Sequence, residues 1–469
     1  MAWLTALLTL PVKLVTAATN WFLGLSLPAR IAWSVGVVQF LLCLVTLLLV
    51  IVSGGRTTFQ AWWTPGKGMQ LLILLLLVPI FVYYAMRLWL HEEVSRWRDI
   101  EKAWREVRTE LDRQQIDLRD VPLFLILGTD GRDEERAIMQ MAPVRFVVTG
   151  SPPGSSPLHV YAGQEAAFVC LSGIGQACSV AEMVRRGSRA TRPDTAVAME
   201  SAVGTAAASF GLSAVERGEA SDRLTALCER VRNIRQPVAP INGIAVVVPL
   251  LLDDDPEAYL ETLGTSVAGD LLQVTQAFGL RVPVTFGCTV PGGMIGWKEL
   301  GTLLPAADRG KAAGQAFSPG LPPSPEDVAA LAINAGGRLS DVLGELLADP
   351  RAVGRPVVNR ALLRLTCRMR TGGVAGMTGF LQKAVDFVAD GTSPLLAGCY
   401  VMSPSERGEE GFFGRGFFDR LLAVQGDLEW TQARLERDRR YGRTAAFFLV
   451  MIGLLVLAIA AIVAWRLSF

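Results

Sequence analysis

The sequence predicts an α/β domain with a helical subdomain, joined to three transmembrane helices. Three observations carry that expectation. Apolar residues make up 51% of the 469 and charged residues only 19%, below the roughly 25% usual in soluble domains. Three runs are long and apolar enough to span a bilayer. Between the second and third, short wholly apolar segments alternate with helical patterns, the mark of a mainly parallel sheet covered on both faces. Forty-five basic against forty-four acidic residues leave a net charge of +1, which argues against a protein built to neutralise nucleic-acid phosphates. Seven cysteines without a CxxC pair, and His91 and His159 as the only histidines, point to no disulfide framework, metal or cofactor.

Taken in order, Met1 to Leu27 is apolar, lacks a basic start and is broken by Pro11, so it predicts an interfacial helix, with a partial re-entrant span as the alternative, and not a cleaved leader. Ile31 to Val52 is uncharged, and as a helix it would cover about 33 Å. Leu71 to Leu90 is a second span with Pro79 inside, and Ala445 to Trp465 is the third. The first pair reads as a hairpin around Trp62 and Trp63. Basic flanks from Arg87 to Arg108 and from Arg434 to Arg443 place everything between on the cytoplasmic side. The expected protein is therefore a multi-pass membrane protein with a large cytoplasmic region.

Residues 1–95 hold the hairpin, with spans at 31–52 and 71–90. Past it, Trp97, Ile100, Trp104, Val107 and Leu111 recur at helical spacing and predict an amphipathic helix packed on its own domain. Residues 96–303 form the α/β domain, with strands expected at Leu123 to Leu127, Val144 to Val148, Ala166 to Leu171, Ile244 to Leu250 and Val282 to Phe286. Ala196 to Gly211 reads as a buried helix. Residues 304–430 are a Pro/Gly-rich linker and the helical subdomain, opened by Ser324, Pro325 and Asp327 as a helix start. Residues 431–469 carry the basic flank and the third span, 445–465.

The segment from Leu123 through Gly128, Gly131 and Asp133 to Arg136 is the most informative. A strand entering a glycine turn and then a helix is the frame of a phosphate-binding P-loop, G-x-x-x-x-G-K-[ST]. Gly128 and Gly131 fit the frame. The second required glycine, however, is Asp133, the lysine is Glu134 and the hydroxyl is Glu135. A polyphosphate would face three carboxylates in place of an ammonium and a magnesium-binding hydroxyl. Asp133 and Glu134 are expected to occupy the positive helix end themselves. Gly173-Ile-Gly175 reads as an ordinary strand-to-helix turn. Asp255 reads as a cap on the helix starting at Pro256, the alternative being a cation held by Asp253, Asp254 and Asp255.

This arrangement resembles the amino-terminal portion of the IcmF/TssM family of type VI secretion components. Val284 through Thr289 and Gly292 to Trp297 is similar to a family strand-and-turn element, Pro240-Ile-Asn-Gly-Ile244 to another, and Pro394 to Ser403 with Phe412-Phe413 and Phe417-Phe418 to a third. The resemblance implies a P-loop NTPase-like fold. In the family's T-K-x-D element Thr289 is kept, but the lysine is Val290 and the aspartate Gly292. The family's metal-side aspartate aligns with Leu171. Phosphate, metal and base contacts are thus missing together, which implies a pseudo-NTPase, not an enzyme, that keeps the fold for assembly.

The expected role is a structural inner-membrane scaffold. By resemblance its partners are a TssL/DotU-like inner-membrane protein and baseplate subunits, in a homo-oligomer or multi-subunit complex. The alternative is a membrane-tethered GTPase or ATPase with a non-standard nucleotide site. Because the sequence ends four residues after the third run, the family's large periplasmic region is expected to be missing.

Overall fold

The fold follows from a computed structural model of the chain, which describes residues 29–45, 65–91, 96–129, 131–190, 212–250, 256–290, 296–349, 355–386, 394–404, 411–440 and 442–443. The chain divides into two compact units, residues 1–96 with 436–469, and residues 97–435.

In the first unit, helix α1 (29–45) and helix α2 (Pro65–His91) meet where Gly36 faces Pro79 and the Gln39 side chain donates to the Leu74 carbonyl at 3.3 Å. Among the described residues no helix is long and apolar enough to cross a membrane. This corrects the reading of 31–52 and 71–90 as transmembrane spans, and with it the multi-pass inner-membrane localisation. In α2, Pro79 stands inside the helix and lacks the N–H that an interior residue donates to the backbone ladder. The third run, 445–465, lies outside the described residues, as do Met1 to Leu27, Ala196 to Gly211, Asp253 to Asp255 and Gly292.

The second unit is built on an eight-stranded mixed sheet. Its strands are β1 (Leu123–Leu127), β2 (Val148–Ser151), β3 (Leu158–Ala162), β4 (Ala167–Leu171), β5 (Gly243–Pro249), β7 (Pro283–Thr289), β8 (Gly314–Ala316) and β9 (Leu395–Met402), ordered β2-β3-β4-β1-β5-β7-β9-β8. Five neighbours, β4, β1, β5, β7 and β9, run parallel. β3 is antiparallel to both β2 and β4, and β8 is antiparallel to β9. β6 (Leu280–Arg281) and β10 (Glu429–Trp430) form a separate two-stranded ribbon.

Every residue of β1 is buried because both faces of the sheet are covered. Leu123, Leu125 and Leu127 face one layer, with Val107 and Leu111 of α3 (Arg98–Arg113), Val231 of α6 (Ala214–Arg235) and Leu271 of α7 (Pro256–Phe278). The periodic stripe of α3 is therefore spent on its own domain. Phe124 and Ile126 face the other layer, where Phe417 and Phe418 of α13 (Gly414–Ala423) complete a cluster with Phe168 and Tyr400. Phe124 stacks on Phe168 at 5.3 Å, and Phe418 meets Phe168 edge-on at 5.8 Å.

The predicted strand at 144–148 runs instead over Val148–Ser151, since pairing starts only where the Val147 N–H reaches the Ala162 carbonyl. β3, β8 and β9 were not among the expected strands.

Helices α8 (Trp297–Leu303) and α9 (Ala306–Arg309) lead to α10 (Pro325–Leu347). Ser324 and Asp327 cap α10 reciprocally, as the Ser-Pro-x-Asp pattern requires. A single π turn, Met369–Gly373, joins α11 (Pro356–Arg368) to α12 (Val374–Val385). α12 packs on α7 and α10, and α10 lies against β8 and β9.

The start of β1 is fixed by one buried cation. Arg235 donates to the carbonyls of Leu118, Val121 and Ala239 and to Asn242 Oδ1. Burial lowers its pKa to about 10, with Asp117 opposing. Asn242 Oδ1 also accepts from the Leu123 N–H at 3.0 Å, and its amide donates to the Gln425 carbonyl. Arg235→Met leaves three buried carbonyls without their donor and should cost about 3 kcal/mol, Asn242→Ala about 1–2 kcal/mol. The urea midpoint of the full chain measures both, and a shift for Asn242→Ala as large as that for Arg235→Met would contradict this ordering.

Candidate functional site

The carboxyl ends of β4, β1, β5 and β7 lie side by side, and an open α/β sheet binds its ligands at that edge. All the sequence-predicted site positions that are described fall there.

After β1, Gly128 takes φ +87, and a Cβ at this position would stand 2.2 Å from the Val247 carbonyl oxygen, so only glycine fits. Its N–H does not face open space. It donates to Cys178 Sγ at 3.3 Å, and that thiol donates to the Leu171 carbonyl at 2.6 Å. Thr129 is fully buried, with Oγ1 3.4 Å from both Glu135 Oε1 and the Leu171 carbonyl.

Gly131 then opens helix α4 (Arg132–Met139), whose first turn carries Asp133, Glu134 and Glu135. That is where negative charge is stabilised by the unpaired N–H groups and the helix dipole. Glu135 turns inward. It is 0% exposed, and its Oε2 lies 2.6 Å from His159 Nδ1 on β3, a contact too short for anything but a direct pair, though off the line of the ring N–H. His159 Nε2 lies 3.0 Å from the Gly154 carbonyl, which can only accept, so that nitrogen carries a proton. Burial alone pulls the imidazole pKa down. The hydrogen bond and charge of Glu135 and the Gly154 carbonyl outweigh burial, so the net shift is upward, with Arg132 opposing. Burial also pushes the Cys170 thiol and the Tyr161 phenol up.

After β4, Leu171 to Gly175 turns into helix α5 (Gln176–Ala190). The positive end of α5 is taken by a side chain from 94 residues away. Asp270 of α7 accepts from the Gln176 and Ala177 N–H groups, each at 2.8 Å. Gly175, at φ +100, leaves room for it, since a Cβ there would lie 2.7 Å from Asp270 Oδ2. Burial raises the Asp270 pKa to about 7 against those two amide bonds.

After β7, Thr289 is buried with Oγ1 donating to the Val248 carbonyl at 3.3 Å, and Val290 is buried beside it. Trp297, which closes the same sequence element, donates from Nε1 to Ser403 Oγ at 2.7 Å and lies against Phe412.

The structure brings Gly128, Glu135 and Leu171 into one cluster and places Thr289 two strands away. Sequence reasoning missed His159, Cys178, Asp270 and Thr129 as parts of that cluster. No spacing marks His159, Cys178 and Asp270, because each reaches the edge from another element, and Thr129 stands in the glycine turn itself but at none of the motif's fixed positions. Among the described residues no group of three or more His, Cys, Asp or Glu would hold a metal ion. Chemically, the edge offers a buried acid–base pair and two helix ends supplied with carboxylates.

Two measurements follow. Removing one partner of a buried pair is costly, so His159→Gln should lose about 3 kcal/mol at pH 6. The folded pKa of His159 lies above its unfolded value, so its contribution is fully present below about pH 6.5 and is lost as pH rises through the folded value. The stability gap between wild type and His159→Gln, from urea titrations across pH 5.5 to 8.5, should therefore narrow with rising pH; a gap that widens rules out an imidazolium. Asp270→Ala orphans two N–H groups and should cost about 2 kcal/mol, read in the same assay.

No curated protein and no solved structure matches the chain. Residues 217–450, from α6 past the last described helix, match the IcmF-related N-terminal domain. That span includes β5, β7, β9 and the Arg235–Asn242 knot. The match makes the protein an IcmF-like secretion component that works within a multi-subunit complex, and the chain belongs to the IcmF-related family.

Proposed function

We propose that residues 97–435 act as a non-hydrolysing docking body of the secretion complex, a nucleotide-binding frame whose ligand positions are filled by the chain's own side chains. The observation that carries this reading is Glu135. It stands where a P-loop places its magnesium-binding hydroxyl, and its carboxylate is buried against His159. Asp270 on the neighbouring helix end and Cys178 on the Gly128 N–H support the same reading, since each occupies a donor that a phosphate would need. Lysine and aspartate of the base-reading motif are absent at Val290 and Gly292. The partners are a TssL/DotU-like protein and baseplate subunits, taken from the family resemblance, and the body serves them as a rigid surface.

Calorimetric titration of the full chain with Mg-GTP and Mg-ATP tests this. The expected result is no binding tighter than about 1 mM. Micromolar affinity for either nucleotide would overturn the reading and restore the GTPase or ATPase alternative.

A further inference from the structure

β8 ends the eight-stranded sheet, with Gly314, Gln315 and Ala316 opposite Tyr400, Cys399 and Gly398. The Val401 N–H donates to the Ala313 carbonyl at 2.7 Å, and the Phe317 N–H to the Ala397 carbonyl at 2.8 Å. In an antiparallel ladder such bonds flank the non-hydrogen-bonded pairs, here Gly314 with Tyr400 and Ala316 with Gly398. The N–H and C=O of Gly314 and Ala316 therefore point away from β9, and no described residue meets them. Sheet edges are normally guarded by a charge, a proline or a cover. The sequence Gly-Gln-Ala supplies neither a charge nor a proline, and Gln315 and Ala316 are exposed.

A cleft runs along this edge, lined by Gly314, Gln315, Asn334, Gly337, Arg338 and Asp341. Asn334 donates to Gln315 Oε1 and so fixes the floor. Gly337 has nothing within 4 Å of where a Cβ would stand, which leaves a shelf beside the strand. Arg338 and Asp341 are exposed on α10, and neither has an ion-pair partner among the described residues. From Asn334 to Asp341 the helix rises about 10 Å, the length of about three strand residues.

We infer that this edge takes up an extended peptide segment of a partner protein, which adds a strand to β8 and sets an acidic side chain on Arg338 and a basic one on Asp341. Side chains two apart on a strand share a face at about 7 Å, close to the spacing of helix neighbours three apart. A peptide of a single charge sign would meet one like charge in the cleft, so the occupant carries both signs. Backbone pairing supplies the affinity, and the charges set register and direction. The proposal rests on the docking-body reading for the origin of the peptide, and on the β8 geometry for everything else.

The probe is a synthetic heptapeptide of alternating valine and threonine, with one aspartate and one lysine two positions apart, added to the full chain and followed by amide hydrogen exchange. At saturation the Gly314 and Ala316 amides should exchange about tenfold more slowly, the mark of a bond made at each. Ala316→Pro removes one outward donor without touching a β9 bond and should abolish the slowing. Arg338→Glu should weaken binding about threefold, and a peptide with lysine in place of the aspartate should recover it. That charge swap keeps the test decisive if Ala316→Pro fails to fold. Unchanged exchange at millimolar peptide overturns the proposal. So does concentration-dependent protection in the free chain, which would make a second copy the occupant. Tight nucleotide binding would defeat the docking-body reading and leave the exchange pattern standing, so the two failures are distinguishable.

Discussion

Two helix N-termini converge on the carboxyl edge of the central sheet, and the whole arrangement there answers the positive potential they create. A sheet of parallel strands followed by helices gathers unpaired N–H groups and helix dipoles at one rim. Nucleotide-binding proteins leave that potential for a phosphate. Here it is met from within. Asp133, Glu134 and Glu135 sit in the first turn of α4, and Asp270 reaches across from α7 to the start of α5. The acidic residues are a local demand of the fold. Once they are in place, Glu135 needs a polar partner of its own in the dry interior, and His159 Nδ1 stands 2.6 Å from it.

That second step explains what could be read from the residues beforehand. Four of the five parallel core strands were legible, β9 being the exception, because Leu123 to Leu127 and its neighbours β4 and β5 are buried on both faces and carry no polar residue to blur the pattern. The capped start of α10 was legible for the same local reason. The degenerate turn after β1 was legible as a pattern of carboxylates. What those carboxylates touch was not, since His159 stands on a strand 24 residues on and Asp270 on a helix 94 residues from its amides. β3 escaped notice because Leu158-His-Val-Tyr-Ala162 carries a histidine that reads as polar until Glu135 is set against it. β8 has no apolar signature at all.

The apolar runs near the amino terminus teach the opposite lesson. Run length measured on sequence counts every residue as if it belonged to one straight rod. In α2 the rod contains Pro79, and Gly36 of α1 packs onto that proline, a fit set by shape and not by hydropathy. Composition reports that apolar surface exists and leaves open how it is divided among helices.

The Asn242 amide, bonded to both Leu123 and Gln425, has a consequence for how the protein is made. It ties the first core strand to a residue 183 positions from itself, and Phe417 and Phe418 fill the same face of that strand. β9, which pairs directly with β7, is also encoded late. A ribosome that has not yet released residues 395–423 has therefore exposed a sheet that lacks β9 and the Phe417 and Phe418 side chains of one layer. Contacts of such long sequence separation make folding slow and leave the unfilled sheet exposed to aggregation until those residues emerge.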